Sequence, residues 1–131
     1  DAEGYMGRLR CVQEISAVTA ACMMVKTSVF KAVGGFDEEL KVAFNDIDLC
    51  MKVRKYGVKI VFTPYAELYH YESKSRGMED TPEKQLRFSR EVNCFRRKWE
   101  RELLKGDPYY NPNLTLNNTD CSLRKQEKNG D

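Results

Sequence analysis

The sequence predicts an α/β fold: a mixed sheet with flanking helices and a long C-terminal amphipathic helix. Three observations carry that prediction. "ISAVTAACMMV", Ile15 to Val25, is an unbroken run of apolar and small residues, the pattern of a buried strand. "VKIVFTP", Val58 to Pro64, is rich in β-branched residues and reads as another strand. Phe88, Val92, Phe95, Trp99 and Leu103 then step by four, three, four and four, which is one face of a helix. Strands and helices in that mixture belong to the α/β or α+β classes.

The elements follow in order. Asp1 to Gln13 has little periodicity. After the first strand, "KTSVFKAVGG" reads as a short helix, with Thr27 as its N-cap and Gly34 as its stop. "FDEEL" is a loop. Asn45 or Asp46 can cap the next helix, which should run to about Tyr56 and stop at Gly57. Ile47, Leu49, Cys50 and Val53 make its apolar face, and Lys52, Arg54 and Lys55 suit the negative end of its dipole. Beyond the second strand, "AELYHYES" reads as a further extended piece and "SKSRGMEDTP", Ser73 to Pro82, as a polar loop. Asp80 and Glu83 have capping-box spacing, and Pro82 suits a first helical turn. The long helix should end at Gly106. "DPYYNPNLTL" is turn-rich with aromatic anchors, and from Asn117 the chain turns polar. Residues 1–116 therefore read as the folded part and 117–131 as a tail expected to fray. A sheet with buried strands near residues 20 and 60 usually needs more strands than these, so the chain is expected to be part of a larger domain.

Composition narrows the function classes. With 41% hydrophobic and 32% charged residues, the chain can bury a core. A net charge of +2 gives no reason to propose nucleic acid as a partner. No apolar run approaches the span of a bilayer, so a soluble, cytoplasmic chain is expected. The five cysteines are odd in number and lack Cys-x-x-Cys spacing, and His70 is the only histidine. That argues against zinc and for reduced, structural thiols, with Cys22 and Cys50 inside apolar segments. In such a chain the glycan-acceptor patterns at Asn113 and Asn117 carry no weight.

The stretch "GGFDEELKVAFNDIDLCMKVRKYG", Gly34 to Gly57, holds the chemistry. Asp46 and Asp48 open a helix, and the plain reading is a cap with a favourable charge in the first turn. Gripping one metal ion with both is awkward, because positions two apart on a helix point about 200° apart. A single aspartate aimed into a cleft from a helix N-terminus is better placed as a base or a hydroxyl-binding group. His70 is either a structural histidine or, with the Ser- and Arg-rich loop after it, part of a phosphate site. Arg76 can fork onto phosphate oxygens, and hydroxyls and backbone amides there can add donors.

Three motifs in order, "AVTAACMMVKTSVFKAVGGFDEEL", "FNDIDLCMKVRKYG" and "YHYESKSRG", resemble the C-terminal half of family 2 glycosyltransferases. These are inverting enzymes of the GT-A fold, and the match is nearest to bacterial members that build surface polysaccharides. It extends through "DPYYNPNL", roughly Gly4 to Leu116. The resemblance implies Asp46 as general base, with Asn45 where family members often have Glu. It implies acceptor-side roles for Asp37, Asn45 and Asp48, Asp48 also supporting the helix or the acceptor loop. Ser73 and Arg76 match the loop that closes over the donor diphosphate, and His70 the histidine that helps hold the donor's metal. The implied partners are a nucleotide-sugar donor and a glycan or lipid-linked acceptor. The implied cofactor is a divalent metal, Mn or Mg, expected only together with the family's N-terminal half.

That half binds the nucleotide and carries the metal-binding Asp-x-Asp on a strand. It is not recognisable here, so the isolated chain is expected to be inactive. The resemblance also allows a parent protein at the inner face of the membrane. Two other readings stand beside it. One is a non-catalytic glycan- or protein-binding module, perhaps a homodimer through an exposed sheet edge. The other is a metal-dependent hydrolase, which needs Asp46, Asp48 and His70 to converge.

Overall fold

The computed structural model describes residues 3–71, 81–118 and 120–125. Among the described residues there are four α-helices: α1 (Thr27–Ala32), α2 (Asn45–Lys55), α3 (Pro82–Lys98) and α4 (Glu100–Leu104). Two short strands, β1 (Gln13–Glu14) and β2 (Val61–Phe62), pair antiparallel, with Gln13 opposite Phe62 and Glu14 opposite Val61. The architecture is α/β in kind, with helices dominating.

Helix α2 lies at the core. Leu49, Cys50 and Val53 are buried on it, while Ile47 and Met51 pack against a cluster of Leu40, Phe95 and Trp99. The helix stops as the glycine signal predicts. Gly57 has φ 90, and Val58 N returns to Val53 O at 3.1 Å. Its start differs from expectation. Neither Asn45 nor Asp46 occupies the cap position; Phe44 does, left-handed at φ 63 and with no side-chain cap. A left-handed non-glycine residue costs roughly 1–2 kcal/mol. Aromatic packing offsets it: the Phe44 ring stacks 5.1 Å from Phe95 and lies 5.9 Å from Phe88.

Helix α3 begins at Pro82 behind Thr81, whose hydroxyl accepts from Lys84 N at 3.4 Å. Thr81, rather than Asp80, is therefore the cap, and Asp80 lies outside the described residues. The single long helix expected to reach Leu103 is broken at Trp99 (φ −115, ψ 19). Of the apolar stripe, Phe95 and Trp99 are buried, but Phe88 and Leu103 are 44% and 46% exposed. An acid, Glu91, is buried on the same helix instead.

Two expected strands are corrected. Ile15–Val25 is not a buried strand. It runs irregularly through a 3₁₀ turn at Ala20–Cys22, Cys22 is exposed, and Met24 is 99% exposed. Val58–Pro64 narrows to Val61–Phe62, and residues 66–71 form no strand. The physical reason is shared: a strand needs neighbours for its amides and carbonyls. Among the described residues these segments offer each other only the two-residue β1–β2 ladder and the Ile15 N to Ile60 O bond of 3.1 Å. Part of the stretch after residue 116 makes contacts of its own. Leu114 bridges Leu123, and Arg124 N reaches Asn113 O at 2.7 Å, so residues 120–125 fold back on the turn-rich segment. Residues 126–131 lie outside the described residues. Among the described residues no helix is long and apolar enough to cross a membrane.

Candidate functional site

Asp46 stands half-buried in the first turn of α2. Both of its oxygens are held by backbone amides. Oδ1 accepts from Ile47 N at 2.8 Å, and Oδ2 accepts from Ala20 N at 3.1 Å. A carboxylate offers about four lone-pair sites, so two such bonds fix its orientation and leave acceptor capacity free. The irregular run around Ala20 thus has a use that a strand prediction hides: it brings an amide to the helix N-terminus.

Asp48 is different. It is fully buried. Its Oδ1 accepts from Trp99 Nε1 at 2.8 Å and from Lys98 Nζ at 2.8 Å. Its Oδ2 lies 3.0 Å from Lys52 Nζ, one turn along α2. That contact is ionic rather than hydrogen-bonded, since Oδ2 has no partner with hydrogen-bond geometry. A side chain so enclosed does not reach an acceptor. Its partners fit the role of supporting the helix or the acceptor loop.

Asp37 sits in the "GGFDE" turn ahead of α2. Its Oδ1 accepts from Glu39 N at 3.0 Å, and its Oδ2 pairs with Lys98 Nζ. The Lys98 ammonium, then the Glu39 amide, hold its carboxyl below the usual value. Burial alone would lower Lys98, but its bonds to Asp37 and Asp48 outweigh that and raise it. Lys98 therefore ties the turn to the first turn of α2. Gly34 (φ 79) and Gly35 (φ 63) make the bend, and Gly35 O accepts from Lys52 Nζ at 3.0 Å.

Asn45 is half-buried beside Asp46, so the Asn-Asp pair lies at one helix start. His70 is exposed. The convergence of Asp46, Asp48 and His70 that a hydrolase would need is not formed. Asp48 is committed to Lys98, Lys52 and Trp99, and among the described residues no three His, Cys, Asp or Glu side chains could hold a metal ion. Ser73 and Arg76 lie outside the described residues.

An open cleft of about 1010 Å³ is walled mainly by apolar groups, among them Ile15, Phe44, Met51, Phe62 and Trp99. None of Asp37, Asn45, Asp46, Asp48 and His70 lines it. Glu102, Asp107, Tyr109 and Tyr110 are among the polar groups on its walls. Sequence reasoning missed three participants. Lys98 and Glu91 carry no signal in the sequence for their long-range contacts, because those partners lie 48 to 61 residues away. The indole of Trp99 was counted only as apolar, although a buried indole N–H needs an acceptor.

With that geometry in place, the comparisons with known proteins are decisive for the family. Residues 5–92 match the family described as "Glycosyltransferase like family 2". The chain belongs to glycosyltransferase family 2. It is 58% identical over 121 residues to the uncharacterized protein y4gI of Sinorhizobium fredii (strain NBRC 101917 / NGR234), covering 92% of this chain and 13% of that protein. It is 39% identical over 115 residues to the O-antigen biosynthesis protein RfbC of Myxococcus xanthus, covering 88% of this chain and 9% of that protein. Over 62 residues it is 36% identical to an N-acetylglucosaminyl-diphospho-decaprenol L-rhamnosyltransferase of Mycobacterium tuberculosis (strain ATCC 25618 / H37Rv), covering 47% of this chain and 20% of that protein. The chain thus spans a small part of the length of each of these relatives. No solved structure matches it significantly. The family expected from the three motifs is the family found, and the relatives that carry functional names are bacterial.

Proposed function

We propose that this family 2 chain is the acceptor-side part of an inverting glycosyltransferase, with Asp46 as its general base. The enzyme moves a sugar from a nucleotide-diphosphate donor to a hydroxyl of a glycan or lipid-linked acceptor. One observation carries the reading. Asp46 is oriented by two backbone amides at a helix start, remains half-buried, and keeps lone pairs free. Every other acid tied to that turn is engaged: Asp48 is enclosed and Asp37 is paired with Lys98.

The chemistry follows from the groups. The acceptor hydroxyl attacks the anomeric carbon in line, opposite the leaving diphosphate. Asp46 takes its proton as the new bond forms. The transition state is oxocarbenium-like, and attack from one face with departure from the other inverts the centre. Asn45 offers an amide to a second acceptor hydroxyl. Asp37, held by Lys98, shapes the turn beside it.

The donor side is a separate question. Ser73 and Arg76 remain candidates for the diphosphate on residue type. The described residues do not fit a divalent metal on their own, since no three ligand-bearing side chains come together. A Mn or Mg ion held with His70 would need ligands from elsewhere, and no step above depends on one. The Myxococcus relative is named for O-antigen biosynthesis and the Mycobacterium relative for a diphospho-decaprenol acceptor, which favours surface polysaccharide as the product class. Five free cysteines accord with a reducing, cytoplasmic compartment. Calorimetric titration with UDP and dTDP, each with and without manganese, tests the division of labour. No binding by this chain is expected. Manganese-dependent binding would contradict the acceptor-side reading.

A further inference from the structure

The chain enters α2 through a turn that lies against α3, and a buried acid on α3 holds that turn. Glu91 is 3% exposed. Its Oε2 accepts a 2.6 Å hydrogen bond from Ala43 N, 48 residues away in sequence. Its Oε1 lies 3.8 Å from Arg87 Nε, beyond hydrogen-bond distance. A carboxylate buried among Phe95 and its neighbours is unfavourable unless something satisfies it, and an apolar residue would fill the place better. The ion pair with Arg87 offsets part of that cost, and the backbone amide of Ala43 supplies the hydrogen bond.

The next three residues lead straight to the site. Phe44 is left-handed at φ 63, with its ring stacked on Phe95. Phe44 O accepts from Asp48 N at 2.8 Å, the bond that opens the helix. Asp46 follows, with Oδ2 against Ala20 N at 3.1 Å. Rotating the Ala43–Phe44 peptide would swing the start of α2 and draw that carboxylate away from Ala20.

We propose that Glu91 is a positioning residue for Asp46. By fixing Ala43 N it sets the left-handed Phe44, and through it the aim of the Asp46 carboxylate. The importance of that aim rests on Asp46 being the base, but the link itself is conformational and can be read without turnover.

Amide NMR of this chain through an acid titration tests it. The Ala20 amide signal should follow the ionisation of Asp46, and that movement should vanish in Asp46→Asn. Glu91→Ala should remove most of the movement, and Glu91→Gln, which keeps an acceptor oxygen at the same reach, should restore it. A residue that merely supports packing would lower the unfolding temperature and leave Ala20 titrating as before. Unchanged movement in Glu91→Ala overturns the proposal. So does failure of Glu91→Gln to restore it, or an Ala20 signal that ignores Asp46 in the unsubstituted chain. If Glu91→Ala does not fold, Glu91→Asp, one methylene shorter, carries the same expectation, and unchanged movement there overturns the proposal equally. Whether Asp46→Asn abolishes sugar transfer is independent: that result bears on the base, not on the link from Glu91.

Discussion

Trp99 Nε1 donates a 2.8 Å hydrogen bond to Oδ1 of Asp48, joining the break between α3 and α4 to the first turn of α2. Both residues are buried, and Lys98 reaches the same oxygen. The N-terminus that presents Asp46 is thereby anchored from below by a side chain fifty-one residues away.

Trp99→Phe keeps most of the ring and removes the donor. Asp48 would then stay buried with one bond fewer, and a hydrogen bond to a charged group is worth about 1.5–3 kcal/mol. Urea unfolding should show a loss of that size. An unchanged midpoint would mean the bond contributes nothing.

The Asp37–Lys98 pair predicts a pH dependence with a definite sign. Asp37 is held below its ordinary 3.8, so its contribution is complete above that value and fades as pH falls through the lowered one. Lys98 is held above its ordinary 10.5, so its contribution is complete below that value and is lost as pH rises through the raised one. The contribution of this pair should be flat between these limits. The pair is near the surface, with side chains 32% and 20% exposed, so the effect is screened to about 1 kcal/mol or less. Asp37→Asn should weaken the chain near neutral pH and flatten the acid limb of its urea midpoints. An acid limb of unchanged slope would exclude the pair as its source.

Gly34 and Gly35 separate backbone strain from crowding. Both have positive φ, but a Cβ on Gly34 meets open space, whereas one on Gly35 falls 3.0 Å from Phe30 Cζ. Gly34→Ala should cost about 1 kcal/mol from strain alone. Gly35→Ala should cost more, because the Phe30 ring must also move. Thermal melts that rank them the other way would contradict the geometry.

The glycine stops were readable because they depend on local chemistry: Gly57 and Gly106 both take positive φ where the helical patterns stop. The helix starts were not, since Phe44 and Thr81 hold the cap positions of α2 and α3. The run Ile15–Val25 was misread because apolarity signals burial only when partners are at hand. Here it is used as a backbone donor to Asp46 and to house an exposed Cys22. The place of Asp46 in the first turn of a helix was legible, whereas its Ala20 contact spans 26 residues and leaves no local trace. Asp48's burial had one visible clue, Lys52 a turn later on the same face.

The same misreading gives a chemical test. Cys50 is buried, its Sγ 3.7 Å from Val18 O, and burial, more than any other influence, raises its thiol above the usual value. Cys22 is exposed. A thiol reagent should therefore modify Cys22 at least tenfold faster than Cys50 in the folded chain, with the two converging in denaturant. Equal rates under native conditions would mean the run around Ala20 is not arranged as described.

The central claim concerns Asp46, and the most direct test is sugar transfer by the polypeptide that carries these residues, with Asp46→Asn compared to the unsubstituted protein. Loss of a general base should lower kcat by roughly two to four orders of magnitude, with donor KM little changed. Transfer within a few-fold of the unsubstituted protein would show that another group takes the proton and that this account of the site is wrong.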